Sequence, residues 1–172
     1  MKLKMPYGIS NFEELIKEDY YYVDKTKYIE KLENLPEKRI MFLRPRKFGN
    51  TLFTSVLEYY YDKNKADEFE ELYKNTYIGK NPTKLKNSYS ILRFNFSGIN
   101  TENEETTMIG FKEKVIISIT GFINSYGLDF YINENQTVEG ITRSLIEAFK
   151  IQKPKEKIYV IIDEYDHFAN EL

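Results

Sequence analysis

Two short stretches carry residues that could act on a phosphate. The first is Leu43-Arg44-Pro45-Arg46-Lys47-Phe48-Gly49-Asn50-Thr51-Leu52, behind the apolar run Ile40-Met41-Phe42-Leu43 and ahead of an amphipathic segment, Phe53 to Tyr61. A strand, a tight turn with glycine and a helix opening on a hydroxyl residue is the context of a phosphate-binding loop. Against the pattern G-x-x-x-x-G-K-[ST], Gly49 and Thr51 match, while Arg44 stands at the first glycine and Asn50 at the lysine. The second stretch is the apolar run Ile158-Tyr159-Val160-Ile161-Ile162, which leads directly into Asp163-Glu164. A carboxylate at the carboxyl end of a buried strand can hold a Mg²⁺ whose other protein ligand is the loop hydroxyl, which assigns Asp163 and Thr51 to the metal. The neighbouring acid, Glu164, can orient and deprotonate an attacking water. In open α/β sheets ligands sit beyond the carboxyl ends of strands, so both stretches point to one crevice. Alone, an apolar strand ending in acids is more often a solvated strand end, and a basic turn competes evenly with a phosphate loop. The two in this order are far more specific.

These residues need strands and helices to hold them. Arg39 to Leu43 is expected to be a strand, apolar on successive residues as one covered on both faces would be. The helix after the loop should place Leu52, Val56, Tyr59 and Tyr60 on one side. Tyr89 to Phe96, closed by Ser97-Gly98, reads as a second strand, and Ile158 to Ile162 as a third. Between them Met108, Phe111, Val115, Ile119, Phe122 and Ile123 recur at helical spacing up to Gly127, and Val138, Ile141, Leu145 and Phe149 make another helix that Pro154 ends. Upstream, Ser10 with Glu13 forms a capping box, and Asp24 is a candidate N-cap for a helix carrying Tyr28, Ile29 and Leu32. Asp67 to Tyr73 is expected as a short helix and Tyr77 to Pro82 as loop. Helices alternating with apolar strands imply an α/β layered fold with a mostly parallel sheet.

Composition excludes several classes. At 172 residues, 41% hydrophobic and 30% charged, the chain suits one globular domain with a real core. The net charge of -2 argues against nucleic-acid binding. The absence of cysteine excludes disulfides and thiolate metal sites and fits a reducing compartment. No signal peptide and no apolar run long enough to span a bilayer is present, so a cytoplasmic protein with no membrane partner is expected. His167, the single histidine, is read as a polar helix-start residue rather than a metal ligand, and Asp166 as a helix cap. The run Tyr59-Tyr60-Tyr61 reads as core plus surface rather than a base-stacking platform.

Four stretches resemble a known family. Arg44-Pro45-Arg46-Lys47-Phe48-Gly49 followed by Thr51-Leu52 is similar to the R-P-R-[RK]-F-G-K-[ST]-L loop of bacterial AAA-ATPase-like proteins, many of which carry a PD-(D/E)xK nuclease-like domain after the ATPase domain. Pro6-Tyr7-Gly8-Ile9-Ser10-Asn11-Phe12, Tyr21-Tyr22-Val23-Asp24-Lys25-Thr26 and Ile161-Ile162-Asp163-Glu164-Tyr165-Asp166 match in order. The resemblance implies a P-loop NTPase-like three-layer fold over residues 1–172, with a helical lead-in over 1–36 and a nucleotide-binding α/β core over 37–172. It implies ATP and Mg²⁺ as cofactors, with Arg44, Arg46, Lys47, Phe48, Gly49, Asn50, Thr51 and Leu52 around the nucleotide. Asp24-Lys25-Thr26 either borders the nucleotide or caps a helix.

Two departures shape the functional expectation. Arg44 is ordinary for the family, but Asn50 replaces its lysine, and losing that charge-assisted contact with the β/γ-phosphates amounts to about ten- to a hundredfold in affinity. Arg46 or Lys47 either reaches the phosphates instead or is a solvated loop charge. In NTPases with a Glu after this Asp, a further strand usually lies between the loop strand and the Asp-Glu strand; none follows Asp166 here. The chain is therefore expected to be the N-terminal portion of an AAA-ATPase-like domain, truncated after the Asp-Glu strand. Its sheet either closes in another way or keeps an open edge that invites self-association. Weak ATP-Mg²⁺ binding with impaired hydrolysis is the expectation, and a degenerate, non-enzymatic module acting through protein association is the alternative. Nucleic acid would be a partner only through a C-terminal domain beyond this chain.

Overall fold

The computed structural model describes residues 4–42 and 49–165, and the chain forms two compact units, Met1–Tyr89 and Ser90–Leu172. The first is organised around α3, Asn50–Tyr61. Its residues Phe53, Val56, Leu57, Tyr60 and Tyr61 are all buried, which makes it a central helix rather than one with a single apolar stripe. Helix α1, Phe12–Lys17, packs on α3 and buries Phe12 and Leu15. The first N–H of α1 has no partner in its own helix, and Ser55 Oγ on α3 accepts it at 2.9 Å. Helix α2 spans Lys27–Glu33; a 3₁₀ turn, Lys63–Glu68, then leads into α4, Phe69–Tyr73, and α5, Tyr77–Lys80. Aromatic rings fill this core: Phe12 and Tyr73 lie 5.0 Å apart, and Phe69 stacks on Tyr73 at 5.0 Å. The Tyr73 hydroxyl donates to the Val56 carbonyl at 2.6 Å, and burial pushes its phenol well above the usual range.

The second unit is α/β. Strand β1, Ser90–Asn95, pairs in parallel with β2, Ile158–Asp163, in the register Ser90↔Ile158 to Asn95↔Asp163. A parallel pair needs a long crossover. Helices α6, Glu104–Tyr126, and α7, Val138–Gln152, supply it. The side chains of Asn103 and Thr137 cap their starts, accepting from Thr106 N at 2.9 Å and Gly140 N at 3.1 Å. Gly127 ends α6 at φ +60, the left-handed C-terminal position that glycine adopts most readily. Leu92, Phe94, Val115, Ile119, Phe122, Ile141, Leu145 and Phe149 form the core. Parallel register puts Val160 and Ile162 of β2 on the same face as Leu92 and Phe94. They remain 49% and 52% exposed because α6 lies over β1.

An α/β fold with a parallel sheet is therefore present, and the strands over 89–96 and 158–162 are where the hydrophobic pattern puts them. Four local readings need correction. Arg39 to Phe42 form no strand, and Leu43 lies outside the described residues; apolar content is not enough without a ladder partner, and none is seen for this run among the described residues. The cap of α1 is Asn11, whose side chain accepts from Glu14 N at 3.0 Å, not Ser10. Thr26, not Asp24, occupies the N-cap of α2, and without a side-chain cap bond. Tyr77–Lys80 is a helical turn rather than loop, because Thr76 Oγ1 accepts from Gly79 N at 3.1 Å.

Candidate functional site

The two chemical stretches fall in different units, Gly49 to Leu52 in the first and Asp163-Glu164 in the second. Arg44, Arg46, Lys47 and Phe48 lie outside the described residues. At Gly49 the backbone turns through φ +77 into α3. A Cβ there would meet nothing within 4 Å, so conformation rather than space explains the glycine. The Gly49 carbonyl accepts from Phe53 N at 3.0 Å, which closes the first helical turn. Asn50 is therefore the first residue of α3 and Thr51 the second, both half-buried, as is Leu52. The flanks of the loop are held together upstream and downstream, since the rings of Phe42 and Phe53 meet edge to face at 5.6 Å.

The start of α3 differs in charge from those of the other long helices. It has no side-chain cap and no acidic residue in its first turn, whereas α6 begins with Glu104-Glu105 and α7 carries Glu139. No carboxylate of its own turn offsets the positive end of its dipole.

In the second unit, Asp163 is the last residue of β2 and only 5% exposed. Its Oδ2 pairs with Arg93 Nη2 at 3.0 Å, and its Oδ1 accepts from Glu164 N at 3.1 Å. Glu164 is exposed and adopts φ +56, a left-handed conformation that is strained for a residue with a Cβ. The strand thus ends in a sharp turn that buries one carboxylate and presents the next. Asp163, and separately Thr51 in the other unit, each carry a hard oxygen donor of the kind Mg²⁺ takes. Among the described residues no cluster of three or more His, Cys, Asp or Glu could hold a metal by itself.

Arg93 is the functional candidate that sequence reading missed. Its signal was a lone charge in the otherwise uncharged strand Ser90–Asn95, which only the parallel register brings beside Asp163.

Asp24 and Thr26 are used structurally. Asp24 Oδ1 accepts from Thr26 N at 2.8 Å and its Oδ2 from Tyr77 N at 2.7 Å. Thr26 Oγ1 accepts from Ile78 N at 3.1 Å. With Thr76 on Gly79, these side chains satisfy the first three N–H groups of α5. Tyr59, Tyr60 and Tyr61 are all buried and offer no stacking platform. Asp166 and His167 lie outside the described residues. No helix among the described residues is long and apolar enough to cross a membrane.

No curated protein and no solved structure shows significant similarity to this chain. A family described as predicted AAA-ATPase matches it over residues 6–172, from the Pro6-Tyr7-Gly8 stretch through the loop to the Asp-Glu strand. With a match over nearly its whole length, the chain belongs to the AAA-ATPase-like family.

Proposed function

We propose that this chain is a nucleotide-binding module of P-loop NTPase type that takes ATP with Mg²⁺ weakly and hydrolyses it poorly. The observation that carries the reading is the geometry at Gly49-Asn50. A left-handed glycine without a side-chain cap leads straight into a helix with no carboxylate in its first turn, and the first helical residue is Asn50 where the family pattern has lysine. The N–H groups at the start of α3 bind phosphate oxygens; Asn50 offers a neutral amide in place of a charge. Asp163 in the second unit and the Thr51 hydroxyl in the first are each candidates to ligate Mg²⁺, which when bound would neutralise phosphate charge. Glu164, carried into solvent by its left-handed turn, takes the proton of the attacking water. Arg46 and Lys47, within the loop sequence, are proposed to supply positive charge to the phosphates.

Thermal unfolding with and without ATP-Mg²⁺ tests this. Saturation at about 100 times the dissociation constant adds about 2.7 kcal/mol. The native chain should respond weakly at millimolar ATP, and Asn50→Lys should bind about ten- to a hundredfold tighter. Silence in both proteins refutes nucleotide binding, and equal responses refute the role given to Asn50. A second reading, a module that acts by association with another copy, is favoured by the half-exposed pair Val160 and Ile162 on β2. Silence toward ATP together with a concentration-dependent dimer in sedimentation selects it.

A further inference from the structure

Both oxygens of the Asp163 carboxylate face donors of this chain. Oδ1 accepts from Glu164 N at 3.1 Å, and Oδ2 is paired with Arg93 Nη2 at 3.0 Å. A divalent cation on this carboxylate needs one of those oxygens, and a guanidinium repels it at that range. The two partners differ in freedom. Asp163 is 5% exposed and fixed at the strand end, while the Arg93 side chain is 23% exposed and has a route to solvent. Leaving a buried carboxylate without a charged partner is costly, so a cation that displaces the guanidinium takes over its compensating role. We propose that Arg93 is a competing counter-ion. It holds the Asp163 carboxylate when no cation is present and is displaced from Oδ2 when a divalent cation binds there. This rests on the reading that Asp163 is a metal ligand. It adds that the chain's own arginine sets the cation affinity, which is a second source of weak binding besides Asn50.

The test is a titration of the full chain, without nucleotide, with Mn²⁺ as a paramagnetic stand-in for Mg²⁺. Arg93→Gln keeps a hydrogen-bond donor for Oδ2 but removes the charge, and should bind Mn²⁺ about ten- to a hundredfold more tightly than the native chain. Arg93→Lys keeps the charge and should stay near native affinity. Adding Asp163→Asn to Arg93→Gln should abolish the gain. Equal Mn²⁺ affinity in native and Arg93→Gln proteins overturns the proposal. Should Arg93→Gln fail to fold, the native protein decides. Its Arg93 guanidinium ¹H–¹⁵N signal must move as Mg²⁺ is titrated, and a stationary signal overturns the proposal. A Mn²⁺ gain in Arg93→Gln without any ATP response keeps this inference and removes the nucleotide reading. An ATP response with unchanged Mn²⁺ affinity does the opposite.

Discussion

Replacing Thr26 by Val separates a structural motif from a nucleotide-facing one. Thr26 is fully buried, and its hydroxyl accepts the N–H of Ile78, which is itself fully buried. Valine keeps the branched shape and volume, so no cavity opens and the change removes a single acceptor. The orphaned Ile78 N–H has no water to turn to, and a buried unsatisfied donor costs about 1–3 kcal/mol. Relaxation of α5 is blocked from one side. A Cβ on Gly79 would lie 1.9 Å from the Tyr73 carbonyl oxygen, so this turn already touches α4 backbone to backbone. Because Thr26 makes no side-chain cap bond to α2, the loss belongs to the α5 contact alone. At about 2 kcal/mol and about 2–4 °C per kcal/mol for a chain of this size, the melting temperature should fall by about 4–8 °C. Urea titration followed by circular dichroism measures the free energy directly, and ATP-Mg²⁺ affinity is measured beside it. A loss below about 0.5 kcal/mol together with weakened ATP binding would refute the assignment, because Asp24-Lys25-Thr26 would then be facing nucleotide rather than holding α5.

Two further outcomes follow from local geometry and charge. At φ +56, Glu164→Gly should be more stable than Glu164→Ala by about 1 kcal/mol in the same titration, since both lose the side chain and only glycine escapes the left-handed strain; equal stabilities would show that the turn relaxes. Glu13 accepts from Lys17 and from the Tyr59 hydroxyl, at 2.6 Å for the latter, and these bonds lower its pKa from 4.5 to about 2. A depressed carboxyl stabilises the fold above its unfolded value and loses that contribution as pH falls from about 4.5 through about 2. The cluster is partly solvated, so Glu13→Gln should lose about 1 kcal/mol near neutral pH and show a flatter acid limb; identical acid limbs would remove the group from the ledger of acid sensitivity.

What was legible in the sequence divides along the range of the forces involved. β1, β2, α6 and α7 were readable because each buries an apolar pattern against neighbours on its own unit, and Asn103, Thr137 and Gly127 mark their ends with local hydrogen bonds. The place of Asp163 at the end of β2 was readable for the same reason. Arg39 to Phe42 misled because hydrophobicity reports burial, whereas a strand is a pairing, and pairing partners lie far away in sequence. The cap assignment at Ser10 missed by one residue, because Asn11 takes Glu14 N locally, while the tertiary partners of these ends lie far away in sequence. Ser55 accepts the Phe12 N–H from 43 residues away, and Asp24 reaches Tyr77 across 53. Arg93 is the clearest case. Seventy residues separate it from Asp163, and in sequence it is a lone charge in a strand. Parallel pairing turns that charge into the counter-ion of the buried Asp163 carboxylate. A motif therefore names candidate groups, but their resting partners come from whichever strand lies alongside. In this chain the resting partner of Asp163 is Arg93, and the Mn²⁺ titration of its glutamine variant tests whether that pairing sets cation affinity.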